Sequence, residues 1–258
     1  MGNGIINNTK KAVFIFFIVF IFSGVLFADP PEDIFNSANL KYQNEDYEGA
    51  AALYEKLIDM DKANVEVFYN LGNSYFKKGS TGKAILNYER ALRISPRDRD
   101  ILLNLKIARA LTLDKIEGPD RGFILSAIFF FYDKLNIDEL TIASSMIFII
   151  MIMFLVFSIN FVEKRKYIFY TVSAFGILFI VFIIFLSSKI QAQYFLKEAI
   201  VISEEIDIRS GPKEDYLKQF TLHEGTRLRV LKKINNWYEV GLSKDLRGWL
   251  PQDSVDII

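Results

Sequence analysis

An asparagine returns along this chain at a fixed interval, at Asn36, Asn70 and Asn104, each 34 residues after the last. Other side chains keep the same step: Ala38, Ala50 and Tyr54 precede Gly72, Ala84 and Tyr88, and Tyr54-Glu55-Lys56 is echoed by Tyr88-Glu89-Arg90. A period of this length marks a helical hairpin that cannot bury its apolar face alone and must stack on copies of itself. Architecture is therefore constrained before any other feature is considered: part of this chain is a short helical stack.

Around Asn70 the sequence runs Phe68-Tyr69-Asn70-Leu71-Gly72-Asn73-Ser74-Tyr75, followed by Ala84, Tyr88, Ala91 and Pro96. This resembles the tetratricopeptide family, and the resemblance implies a groove that binds other proteins. Two copies and a partial third are present. The first departs from the pattern, with Lys41 at the place of Tyr75 and Lys62 at the place of Pro96. Arg99–Ala110 supplies only the first helix of a third copy, with Leu102 and Leu105 on its apolar face. Gly72 and Ala84 are expected to meet where two helices cross, with Tyr75 and Tyr88 filling the space beside them. In the family's register the concave face carries Phe35, Asn39 and Tyr42, then Tyr69, Asn73 and Phe76, then Leu103 and Ile107. Asn39 and Asn73 recur at the period; they either pair with a bound peptide backbone or solvate an unused face. A basic residue would be needed at Phe35 for the subtype that clamps acidic chain ends, so that subtype is disfavoured.

Of the 258 residues 51% are hydrophobic and 24 are Phe, and the excess is concentrated in three runs. The first follows Lys10 and Lys11 and ends at Phe27-Ala28, before Asp29-Pro30-Pro31. That order is a secretory signal peptide over 1–28, cleaved after Ala28 or retained as an anchor. Residues 142–162 and 168–188 form two charge-free runs of about 20 residues each, or about 30 Å as helix, the thickness of a bilayer core. Glu163-Lys164-Arg165-Lys166 joins them, and a basic turn belongs on the cytoplasmic side. Both ends of the mature chain are then expected outside. Asn136-Ile137-Asp138-Glu139 has capping-box spacing ahead of the first span. Gly122–Tyr132 is apolar but too short to cross, and is expected in the interface within a hinge region over 113–141.

From Ala199 the character changes to short strands and turns. Five strands are expected, around Ile206–Arg209, Leu228–Leu231, Trp237–Val240, Leu246–Pro251 and Val255–Ile258. Arg209-Ser210-Gly211-Pro212, Glu224-Gly225-Thr226, Trp237 and Gly248-Trp249 stand in the order of the bacterial SH3-like domain. That resemblance implies a small all-β barrel over 189–258, and some members of the family bind cell-wall peptides or Pro-rich segments. Trp237 and Trp249 are either barrel core or a ligand platform. His223, the only histidine, is given no role.

The fold class expected is thus a multidomain membrane protein: an α-helical tetratricopeptide stack over 29–112, two transmembrane helices with a turn at 163–167, and a small SH3-like barrel. The order of modules resembles the BatE-type proteins of the Bacteroides aerotolerance (Bat) operon over essentially the full length. That resemblance implies an inner-membrane scaffold with both soluble modules periplasmic. It implies as partners the other Bat proteins: von Willebrand factor A-type membrane proteins, a second tetratricopeptide protein and, indirectly, a MoxR-type ATPase.

Lys plus Arg equals Asp plus Glu at 31 each, so no overall field draws nucleic acid. There is no cysteine, which removes disulfides, thiol catalysis and cysteine-ligated metal. No phosphate loop, Ser-His-Asp set or metal-ligand spacing is present. The expected function is a non-enzymatic adaptor without cofactor; the alternative is a tether that binds cell-wall peptide through the barrel.

Overall fold

The computed structural model describes residues 31–114, 129–130, 132–160, 163, 165–192, 197–242 and 246–258. The expected signal peptide, residues 115–128 of the hinge and Lys164 of the basic turn lie outside the described residues. The N-terminal unit is a right-on-period stack. Helices α1 (Pro31–Gln43) and α2 (Tyr47–Asp59) make one hairpin, α3 (Val65–Lys78) and α4 (Thr81–Ile94) the next, and α5 (Arg99–Leu111) stands alone. Local chemistry sets these ends. Asn64 accepts from the Val67 amide at 2.9 Å to start α3, and Asp98 accepts from the Asp100 and Ile101 amides at 3.0 and 3.2 Å to start α5, so each side chain satisfies orphan donors of the first turn. Gly79 closes α3 at φ +87°, a left-handed conformation that favours glycine.

Ala38, Ala50, Tyr54, Leu57, Leu71, Ala84, Tyr88, Ala91 and Ile101 form the buried seam of the stack. A Cβ on Gly72 would lie 2.7 Å from two ring carbons of Tyr88, so the tyrosine ring rests on the glycine.

Two long helices follow, α6 (Ile137–Asn160) and α7 (Arg165–Ile190). Both are long and apolar enough to cross a membrane, and only 17% and 6% of their spans are buried. Helices this apolar and this exposed are compatible with a membrane protein of two spans, and are unlike the buried core helices of a soluble domain. Rings meet between them, tilted at Phe148–Phe179 and stacked at Phe154–Phe175. The capping box forms as its spacing implied: Asn136 Oδ1 accepts from the Glu139 amide at 2.8 Å, and Glu139 Oε2 accepts from the Asn136 amide at 3.1 Å.

The C-terminal unit is an antiparallel sheet of seven strands, not five, in the order β3-β2-β6-β5-β4-β1-β7. They are β1 (Glu198–Val201), β2 (Glu205–Arg209), β3 (Lys218–His223), β4 (Arg227–Ile234), β5 (Trp237–Gly241), β6 (Arg247–Pro251) and β7 (Val255–Ile257). The two strands not expected, β1 and β3, carry no clean alternation; three of the four residues of β1 are buried. The core is Ala199, Val201, Ile208, Leu222, Leu228, Val240, Leu250 and Val255.

Stack and barrel touch. Ile200 of β1 is buried among the residues of the helical core, and Ile258 packs against the same cluster. Glu224 accepts from the Gly82 amide at 2.9 Å. A Cβ on Gly82 would stand 2.5 Å from the Val201 carbonyl, so glycine lets the first turn of α4 approach the barrel backbone. This second neighbour explains why α4 is buried nearly all round, at Gly82, Ala84, Ile85, Leu86, Asn87, Tyr88, Glu89 and Ala91.

Candidate functional site

The first helices of the repeats, α1, α3 and α5, present the eight residues expected on the concave face. Phe35 is half-buried and edge-on to Tyr54, with ring centroids 6.0 Å apart. Tyr42 packs against Tyr47 at 5.3 Å, and burial followed by the neighbouring Tyr47 and Tyr69 hydroxyls raises its pKa. Tyr69 lies against Tyr88 at 6.1 Å. Phe76 packs partly into the core. Leu103 and Ile107 are the open end, 56% and 43% exposed. None of the eight carries a charge.

The two asparagines of this set are tied into the fold. Asn39 Oδ1 accepts from the Tyr54 hydroxyl at 2.5 Å and from Asn70 Nδ2 at 3.3 Å. One repeat later Asn73 Oδ1 accepts from the Tyr88 hydroxyl at 2.8 Å and from Asn104 Nδ2 at 3.0 Å. Asn104 Nδ2 also reaches the Tyr69 hydroxyl at 3.1 Å. The 34-residue asparagine is therefore a rung of a ladder: the amides of Asn70 and Asn104 bond the asparagine of the preceding repeat, which in turn holds a tyrosine of the second helix, Tyr54 or Tyr88. Asn36 has no preceding described repeat and is exposed. Asn39 and Asn73 use their oxygens in these bonds, and their Nδ2 groups are not used in them.

A second set of residues was not read as a contact between the modules from the sequence. On the flank of α4 opposite the helical core, Arg90 and Arg93 donate to the carbonyls of Ile257 and Ile258 at 2.5 and 2.7 Å. Glu89 accepts an ion pair from Arg109 of α5 and lies 3.5 Å from Arg227 of β4. Arg227 also pairs with Glu198 of β1 at 2.5 Å. Beyond α5, Asp114 accepts from the His223 amide at 2.7 Å and from the Thr226 hydroxyl at 2.7 Å, with the His223 ring nitrogen 3.0 Å away. His223, given no role above, thus belongs to the contact between stack and barrel. Burial acts to raise the Asp114 pKa, but the hydrogen bonds from Thr226 and His223 outweigh it and hold the carboxyl below its ordinary value.

On the barrel, Trp237 and Pro251 line an open pocket of about 410 Å³ with Ile206, Glu205, Asp207, Arg209 and Glu214. It involves β2, β5 and β6, whereas the helical stack seats on β1 and the β3–β4 turn. Trp237 is therefore a pocket wall.

With that geometry in view, three segments match known families. Residues 38–79 match the TPR repeat and residues 65–98 the tetratricopeptide repeat. Residues 204–256 match the bacterial SH3 domain. The helical stack and the C-terminal antiparallel sheet are consistent with those two families. Both are non-catalytic interaction modules; tetratricopeptide repeats suggest protein–protein interaction, and the bacterial SH3 domain suggests cell-wall binding.

Proposed function

We propose that this protein is a membrane-held adaptor whose two soluble modules work as one body on one side of the bilayer. The observation that carries the reading is the contact between α4 and the barrel. The stack precedes the membrane hairpin in sequence and the barrel follows it, so modules that touch must share a side. The basic turn between the spans supports the opposite side as cytoplasmic, in keeping with both modules facing the outer compartment at a bacterial inner membrane. The concave face is the partner-binding surface, with Leu103 and Ile107 as its exposed anchors. Partners in keeping with the module order are those of a Bat-type membrane complex: von Willebrand factor A-type membrane proteins and a second repeat protein, with a MoxR-type ATPase acting from the cytoplasm.

The test is affinity capture of the full-length protein from gentle detergent, wild type against Leu103→Ser with Ile107→Ser. Both side chains are exposed, so the stack should stay folded. Loss of anchors of this kind lowers capture on the order of tenfold or more; unchanged capture overturns the groove as the binding surface. The pocket beside Trp237 supports a second reading, attachment to cell-wall peptide through the barrel. Co-sedimentation with purified cell wall, lost on Trp237→Ala and kept in the Leu103/Ile107 variant, would favour that reading over the first.

A further inference from the structure

Asn39, Asn73 and Ile107 stand at one position of successive repeats, 34 residues apart. Helices α1 and α3 lie side by side, as do α3 and α5, tied by the Asn70–Asn39 and Asn104–Asn73 bonds. Asn39 and Asn73 are therefore separated by one step of the stack, ~8–10 Å for neighbouring helices. The oxygen of each accepts twice, from Tyr54 and Asn70 or from Tyr88 and Asn104. The Nδ2 group of each makes no hydrogen bond among the described residues, and neither is a buried atom lacking a partner. Both amides therefore face solvent with hydrogens to give. The Tyr69 hydroxyl accepts from Asn104 and keeps its own proton to donate.

The face these residues form is thus rich in donors and poor in acceptors. None of the residues expected there carries a charge. A ligand that brings backbone N–H groups leaves them without acceptors, and a charged side chain loses water without gaining a counter-ion; both are costly. A ligand with carbonyls and no N–H groups avoids both costs, and proline is the residue that meets the condition. Pitch selects the same kind of chain. Carbonyls on one side of a β-strand recur at ~6.8 Å, which falls short of one step of the stack and overshoots it at two. Polyproline II turns once in three residues and rises ~3.1 Å per residue, so its carbonyls return to one side at close to one step. Phe35 and Tyr42 stand one turn before and after Asn39, and Tyr69 and Phe76 one turn before and after Asn73. Such rings offer surface to the pyrrolidine rings of a proline helix.

We propose that the concave face takes an uncharged, proline-rich segment of a partner protein, held as a polyproline II helix. Two of its carbonyls, three residues apart, accept from Asn39 and Asn73, and the following turn packs against Leu103 and Ile107. This rests on the concave face being the binding surface, as proposed above, and names the class of partner it takes.

The test is fluorescence anisotropy of labelled nonaproline with the full-length protein in gentle detergent, against a nonapeptide of alternating glycine and serine. Nonaproline should bind with saturation, and the glycine–serine peptide should not. Asn39→Asp with Asn73→Asp keeps an oxygen for Tyr54, Tyr88, Asn70 and Asn104 and removes the Nδ2 donors. This variant should bind nonaproline about tenfold more weakly, with hydrogen exchange across α1–α5 unchanged. Leu103→Ser with Ile107→Ser, at exposed positions, should weaken binding as well, a readout independent of the asparagine ladder. No binding of nonaproline, equal binding of the two peptides, or binding indifferent to both variants overturns the ligand. So does binding lost on Trp237→Ala and kept in both variants, which would place it in the barrel pocket. In each of these cases, partner capture lost in the Leu103/Ile107 variant leaves the concave face as the binding surface, and unchanged capture overturns both.

Discussion

The Tyr88 hydroxyl donates to Asn73 Oδ1 at 2.8 Å, and the same bond recurs one repeat earlier between Tyr54 and Asn39 at 2.5 Å. Each pair also takes the amide of the next repeat's asparagine, Asn104 or Asn70. Asn73→Ala therefore leaves a buried hydroxyl and an amide without their acceptor, which typically costs about 1–3 kcal/mol. Asn36→Ala, at the exposed start of the series, should change stability by less than about 0.5 kcal/mol. Hydrogen exchange across α3–α5 in the full-length protein is expected to quicken for the first variant and stay unchanged for the second.

Gly72→Leu should disturb more than its own hairpin. Any side chain there meets the Tyr88 ring, and overpacking of this kind costs about 1–3 kcal/mol. Because α4 carries the barrel on its other flank, displacement of Tyr88 should also speed exchange in the β3–β4 turn. Protection lost in the stack and retained at Glu224–Thr226 would mean that α4 moves independently of its seat.

Alkali should loosen the stack. Burial pushes the Tyr54 pKa up to about 12 and raises that of Tyr88, which is 1% exposed. A phenol whose folded pKa is raised stabilises the fold fully below its unfolded pKa of 10. That contribution fades as pH rises from there through the folded value. Thermal midpoints of the stack are expected to be flat below pH 10 and to fall between pH 10 and 12. Asn39→Ala should alter the size of the fall, since Asn39 holds the Tyr54 hydroxyl.

Acid should loosen the contact between stack and barrel instead. The Asp114 carboxyl is held below its ordinary 3.8. Its contribution is therefore complete above that value and is lost as pH falls through the lowered one. Exchange at His223–Thr226 is expected to rise in that window, and Asp114→Asn should remove the pH dependence while raising exchange at neutral pH.

The stack was legible because its information is local and repeated. Spacing of Gly72, Ala84 and Tyr88 acts within one period, and the Asn136/Glu139 box ahead of the first span within a few residues. Even there, periodicity gives the face of a helix and not how closely the Tyr88 ring approaches Gly72. In the barrel β1 and β3 were missed: β1, buried at three of its four positions, loses its alternation, and β3, mostly exposed or half-buried, shows none either. The eight residues expected on the concave face were read from register, but the ladder binding Asn39 to Asn70 and Asn73 to Asn104 depends on side-chain reach between helices. The contacts of Asp114 with His223 and of Arg93 with Ile258 join residues more than 100 positions apart. Nothing local in either partner announces such pairs, and a lone histidine in a turn reads as ordinary surface.

The central claim, that stack and barrel share one side of the membrane, is tested most directly by thiol accessibility. The chain has no cysteine, so Lys62→Cys in the stack, Lys213→Cys in the barrel and Lys164→Cys in the turn each give a single target. Intact spheroplasts would be treated with a membrane-impermeant maleimide, then again after lysis. Positions 62 and 213 should label before lysis and position 164 only after it. Labelling of 62 and 213 from opposite sides would contradict the docked arrangement and the account built on it.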